Sequence, residues 1–285
     1  MQPFLGFHEP VSSLNHLFVA LVVLFIGPIM VWRAQGNVLR RFSLFIYVFS
    51  NIFLFSMSGV YHLLQKGTDA NYVLQILDHA GIFLLIAGTF TPLHIILLRG
   101  ASRWVPLVSI WVLAIVGITL GSIFFSDMPE WLFLTLFISM GWMGTYGMWA
   151  IRKVDPKTTW LVLIGGVFYT VGALIDFAKL PALITGHIGS HEIFHFFITA
   201  AAAVHFYGVW RISKVPSSAK LTLVVKKRPD KVTAKFTSEG VRFVGSSVDE
   251  VKTAATNWVK DHFPSLNAPS LIRVKIYNEE DVHIS

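Results

Sequence analysis

Seven apolar stretches, each long enough to cross a bilayer, restrict this chain more than any other feature of its sequence. They run over about 14–33, 41–64, 73–98, 104–125, 130–151, 159–178 and 189–211. A helix rising about 1.5 Å per residue needs about 20 residues to traverse a hydrocarbon core of about 30 Å. In lipid every backbone N–H and C=O must find an internal partner, so segments of this length are expected to be helical. The breaks carry the punctuation that ends helices: Gln35-Gly36-Asn37, Lys66-Gly67-Thr68-Asp69, Arg99-Gly100, Ser126-Asp127-Met128-Pro129, Asp155-Pro156 and Lys179-Leu180-Pro181. The first stretch has no basic segment before it and no small-residue cleavage site, so it reads as a retained membrane helix.

Composition agrees. The chain is 54% hydrophobic and 14% charged, with a mean hydropathy of +0.63, too apolar for a soluble globular protein. Residues 1–210 hold 10 of the 23 basic and 8 of the 16 acidic residues, and the remaining 75 residues hold the rest. After Arg211 the pattern changes. Leu221–Val225, Val232–Thr237, Val241–Val244 and Leu271–Tyr277 alternate as strands, and Val248–Phe263 is amphipathic with Ser247 as its cap. The expected fold is an all-α membrane protein of seven transmembrane helices, residues 1–212, followed by a small soluble α+β domain, residues 213–285. A basic tail beside a membrane points to anionic lipid, and no nucleic-acid partner is expected.

Loop charge sets an expected orientation. Arg33, Arg40, Arg41, Arg99, Arg103, Arg152, Lys153 and Lys157 occupy the first, third and fifth loops, whereas the other three hold only Lys66 and Lys179. By the positive-inside rule the N-terminus lies outside and the C-terminus in the cytoplasm of a multi-pass protein of the cell membrane.

Ionisable groups inside a span are costly and mark function. His62 ends the second span, Asp78 begins the third, and His191 and His195 begin the seventh, which puts all four near one membrane face. The i,i+4 spacing of His191 and His195 lets both rings share one ion, and Ser58 and His62 repeat that spacing. With no cysteine in the chain, a metal must bind through His, Asp, Glu or water. Three imidazoles with one open position match a catalytic zinc site, so His62, His191 and His195 are the expected zinc ligands, with Asp78 holding a water or orienting a ligand. His16, Asp176 and Glu192 are candidates for a supporting layer around them. His191-Glu192-Ile193-Phe194-His195 also reads HExxH, the metalloprotease helix in which the glutamate is the base.

Ser58-Gly-Val-Tyr-His62, Leu77-Asp78-His79-Ala80-Gly81 running on to Gly88-Thr89-Phe90-Thr91-Pro92, and His191-Glu-Ile-Phe-His195 together resemble the hemolysin III proteins. That family is grouped with the progestin and adipoQ receptors in a superfamily that includes alkaline ceramidases. His8-Glu9-Pro10 with Asn15-His16 also looks like the family's approach to its first helix. The resemblance covers about residues 5–212 and implies seven helices around a zinc on His62, His191 and His195, with a water bridging to Asp78 and with Ser58 nearby. It further implies hydrolysis of a ceramide-like lipid amide, with a lipid substrate or membrane lipid as partner. The extension from 213 onward departs from the family pattern. Two other functions stay open: a non-enzymatic hemolysin, pore or sensor with a structural zinc, and an HExxH intramembrane protease.

Overall fold

The computed structural model describes residues 8–34, 38–98, 100–179, 181, 183, 188–214, 221–228, 230–237, 240–262 and 272–278. Eight helices come first: α1 (Pro10–Arg33), α2 (Val38–Leu63), α3 (Asp69–Leu97), α4 (Gly100–Ile123), α5 (Glu130–Met143), α6 (Thr145–Val154), α7 (Pro156–Phe177) and α8 (Ser190–Ser213). Strands β1 (Leu221–Lys227), β2 (Val232–Phe236) and β3 (Arg242–Gly245), helix α9 (Val248–His262) and strand β4 (Ile272–Asn278) follow. Among the described residues, α1, α2, α3, α4, α7 and α8 are long and apolar enough to cross a membrane.

The fifth apolar stretch departs from the seven-span expectation. It forms two helices, of 14 and 10 residues, that meet at Gly144. Hydropathy registers that the stretch is apolar but not that its backbone is broken. Gly141, Gly144 and Gly147 weaken the helix there, and a side chain on Gly144 would run into the Phe90 ring of α3.

Local chemistry sets the helix starts near the functional end. Pro10 sits in the first turn of α1, where its missing N–H costs nothing. The Thr68 hydroxyl accepts the Asn71 N–H at 3.2 Å to start α3, and Asp155 accepts the Thr158 N–H at 3.2 Å to start α7. The Glu192 carboxylate reaches back to the Gly189 N–H at 2.8 Å and so closes the first turn of α8.

α3 is the most enclosed helix and packs on α2 and α4, while α1 bridges α2 and α8, and α8 lies along α7. Glycine permits the closest approaches. A Cβ on Gly81 of α3 would come within 3.1 Å of the Leu54 Cα of α2, and one on Gly59 of α2 within 3.1 Å of the Leu17 nitrogen of α1. Outward faces are large and apolar: Phe18, Phe25, Trp32, Ile123, Trp149 and Trp160 are all more than half exposed, as lipid contact requires. At the far end of α8, Arg211 pairs with Asp155 and donates to the Thr158 hydroxyl at 2.9 Å, tying α8 to the start of α7.

The C-terminal region has its own core. The four strands form one sheet in the order β3-β2-β1-β4, with β1–β2 and β2–β3 antiparallel and β1–β4 parallel. Leu221, Leu223, Val225, Ala234 and Phe236 pack with Val251, Ala255 and Val259 of α9. The alternation of buried and open positions along β1 and β2 is the two-residue period of a sheet covered on one face.

Candidate metal centre

His62 stands in the last turn of α2, and His191 and His195 in the first two turns of α8. Because α2 ends and α8 begins at the same end of the bundle, the three rings meet. One ring nitrogen from each falls in a common group within 4.8 Å. His191 Nε2 lies 3.0 Å from His195 Nε2 and 3.5 Å from His62 Nε2. Around a tetrahedral zinc with bonds of about 2.05 Å, neighbouring nitrogens stand about 3.3 Å apart, so these separations fit such an ion. The set is nitrogen-only and borderline-soft, which suits zinc and other late first-row ions.

Each of the three rings is held from behind. Asp176 Oδ1 of α7 lies 3.3 Å from His191 Nδ1. His16 of α1 presents its ring to His195 Nδ1, with Nε2 at 2.9 Å. Glu9, just before α1, contacts His62 Nδ1 through Oε2. A carboxylate on Nδ1 fixes that proton and leaves the Nε2 lone pair for a metal, the usual second layer of a histidine–metal site.

Glu9 was not singled out from the sequence as a site residue. It precedes the first apolar stretch and looked like part of a helix approach. Backbone bonds place it: the His8 and Glu9 N–H groups donate to the Leu63 and His62 carbonyls at 3.3 and 3.0 Å, which pins this segment across the end of α2. Lys66 Nζ holds the other carboxylate oxygen, Oε1, at 2.7 Å. Burial raises the Glu9 pKa, but the hydrogen bonds and charges of His62 and Lys66 outweigh it and hold the carboxyl well below its ordinary value. The available signal was an acid one residue before a proline-started span, on the same face as the histidines.

Glu192 has a different job from the one HExxH assigns. One carboxylate oxygen accepts the Gly189 N–H, and the other accepts the Ser12 hydroxyl at 3.4 Å. It fastens the start of α8 to α1. His79 makes no bond across helices among the described contacts: its Nδ1 bonds the Gln75 carbonyl of its own helix at 2.9 Å, and its ring meets Phe125 and Phe133 edge-on.

Asp78 and Ser58 line the same cavity as the three histidines. It encloses about 560 Å³ and runs from the histidines past Ile86, Phe90 and Tyr169 as far as His205. Its polar lining is concentrated at the histidine end, with Tyr61, Asp78 and Asp176 around the ligands, and its remaining wall is mainly aliphatic and aromatic.

A family model described as haemolysin-III related matches residues 5–206. The chain belongs to that family. Its relatives span kingdoms. Hemolysin-3 of Bacillus cereus is 35% identical over 169 residues, covering 58% of this chain and 72% of that protein. The monocyte to macrophage differentiation factor of Homo sapiens is 22% identical over 213 residues, 72% of this chain and 84% of that protein. The adiponectin receptor protein of Drosophila melanogaster is 27% identical over 175 residues, 53% of this chain and 38% of that protein. The whole candidate metal centre, from Glu9 to His195, lies inside the haemolysin-III-related match. The sheet and α9 lie beyond it. Family membership and six long apolar helices make this a multi-pass membrane protein.

Proposed function

We propose that the chain is a zinc-dependent hydrolase that cleaves a ceramide-like lipid amide at the histidine end of its cavity. One observation carries the reading: three histidine nitrogens, each braced from behind, converge where Asp78 and Ser58 line one end of a largely apolar cavity. Zinc would be held by His62, His191 and His195, and when bound it polarises a carbonyl and brings the pKa of a water towards about 7. Asp78 would accept the proton of the attacking water as general base and would return it to the departing amine. The Ser58 hydroxyl orients the carbonyl oxygen. The apolar wall beyond Ile86 and Phe90 takes the acyl chain, and the polar rim faces the amide. Water and amide yield a fatty acid and a free amine.

In this reading α5 and α6 make one broken crossing, since their 24 helical residues reach about 36 Å. Seven crossings with basic first, third and fifth loops put the N-terminus and the metal centre outside and the C-terminal region in the cytoplasm.

The test is release of fatty acid from a ceramide panel by the purified protein in lipid nanodiscs. Asp78→Ala is expected to lower turnover by about a hundredfold or more while keeping its zinc. Full turnover in that variant would remove Asp78 as the base. Glu192→Gln should keep both zinc and turnover, because the carboxylate is engaged with the start of α8. Its inactivation with zinc retained would assign the base to Glu192 instead of Asp78.

A further inference from the structure

The C-terminal sheet has one face covered by α9 and one face open. Strand register fixes which residues share the open face. Leu221, Leu223 and Val225 point to α9, so Thr222, Val224 and Lys226 point away. Across the ladder, Val224 pairs with Lys235 of β2 and Lys275 of β4, and Lys235 pairs with Arg242 of β3. Thr222 pairs with Arg273. In the next row, Lys226 pairs with Thr233 and Tyr277, and Thr233 with Val244.

The open face therefore carries Lys226, Lys235, Arg242, Arg273 and Lys275, all exposed, and its strand positions include no Asp or Glu among the described residues. Four strands at about 4.8 Å make it about 14 Å wide, so the charges are close together. Val244 is 70% and Tyr277 51% exposed, and they flank the Lys226 row at the two edges of the sheet. The covering helix is different in kind. Asp249, Glu250 and Asp261 share α9 with Lys252 and Lys260, so the region is electrically lopsided.

We propose that this basic sheet face docks on the anionic headgroups of the bilayer that holds α1–α8, on the leaflet at the C-terminal end of α8. Charge complementarity selects the occupant: clustered Lys and Arg beside a membrane segment are drawn to anionic lipid within a Debye length of the surface. The tether selects the source. From Ser213, the last residue of α8, to Leu221, the first of β1, only seven residues intervene. They reach about 25 Å at most, which keeps the sheet within a short distance of that leaflet at high effective concentration. Tyr277 and Val244 are the side chains that enter the headgroup layer, as amphipathic and apolar residues do at an interface. None of these residues lies in the matched family region.

The absence of cysteine makes the test clean, because one introduced thiol is the only label site. A fluorophore is placed at Thr233→Cys on the open face, or at Asn257→Cys on the exposed side of α9, in the full chain. Each is put in nanodiscs that contain a nitroxide-labelled lipid, either phosphatidylcholine alone or with phosphatidylglycerol.

Docking predicts at least twofold stronger quenching at Thr233 in the anionic discs, no such change at Asn257, and loss of the difference as salt rises from about 0.1 to 1 M. The variant Lys235→Gln/Arg242→Gln/Arg273→Gln/Lys275→Gln should lose it at low salt. Equal quenching in neutral and anionic discs, or a response at Asn257 instead of Thr233, would overturn the proposal. So would a Thr233 response to a duplex oligonucleotide in neutral discs with none to anionic lipid, which would assign the face to nucleic acid. The salt titration needs no charge substitution, so it decides the matter even if the fourfold variant fails to fold.

Discussion

Glu9 and Asp176 stand in the same relation to their histidines, a carboxylate on Nδ1 with Nε2 turned to the shared centre, although one precedes α1 and the other ends α7. Loss of such a partner typically weakens metal binding by about 10–100-fold. Glu9→Gln is therefore expected to raise the zinc dissociation constant by about tenfold or more, read by competition with a chelating dye, while far-ultraviolet circular dichroism stays unchanged. An unaltered affinity would show that the Lys66–Glu9–His62 chain does not tune the site. Glu192→Gln makes the contrast. It should cost about 1 kcal/mol of stability, as a weakened helix start does, with zinc affinity within about twofold of the parent. At this scale the sequence was most informative about the histidine cluster: His191 and His195 are one helical turn apart, and His62 ends a span on the same face. Glu9 was hidden because its role depends on two backbone hydrogen bonds to the end of α2, which no spacing rule encodes.

The α2–α3 pair sets the distance between His62 on one helix and Asp78 on the other, and glycine keeps that pair close. At Gly81 the obstacles to a side chain are Leu54 Cδ1 at 3.0 Å and the Leu54 Cα at 3.1 Å, the second of which cannot rotate away. Gly81→Val is expected to lose about 1–3 kcal/mol, the usual cost of overpacking. It should also lower turnover more than zinc content, since His191 and His195 are on α8 and only His62 and Asp78 would be displaced. A thermal melt and metal analysis of the same sample check both. Gly81 and Gly88 fall within the family-like run of the third span, but no such pattern marks the break at Gly144. Hydropathy averages over a window and reports continuous apolar character for 130–151, whereas the helix there is interrupted at Gly144, where the Phe90 ring leaves no room for a side chain. The strands of the C-terminal region were easier to locate, because alternation over five to seven residues survives in β1, β2 and β4 to within a residue or two of their observed ends.

For the molecule as a whole, the family match ends near the last span and the basic sheet lies beyond it, so the proposed chemistry and the proposed surface attachment belong to different parts of the chain. The apolar stretches made the membrane character plain from the outset. The cavity was not legible in the same way, since its wall is drawn from α1, α2, α3, α5, α6, α7 and α8 and exists only once they pack. A metal at His62, His191 and His195 underlies the proposed hydrolysis, and metal analysis of the purified protein tests it most directly. The unaltered chain is expected to carry one zinc per chain, and the His191→Ala/His195→Ala double variant, purified alongside as a folded membrane protein, almost none. Equal zinc in the two would contradict the account.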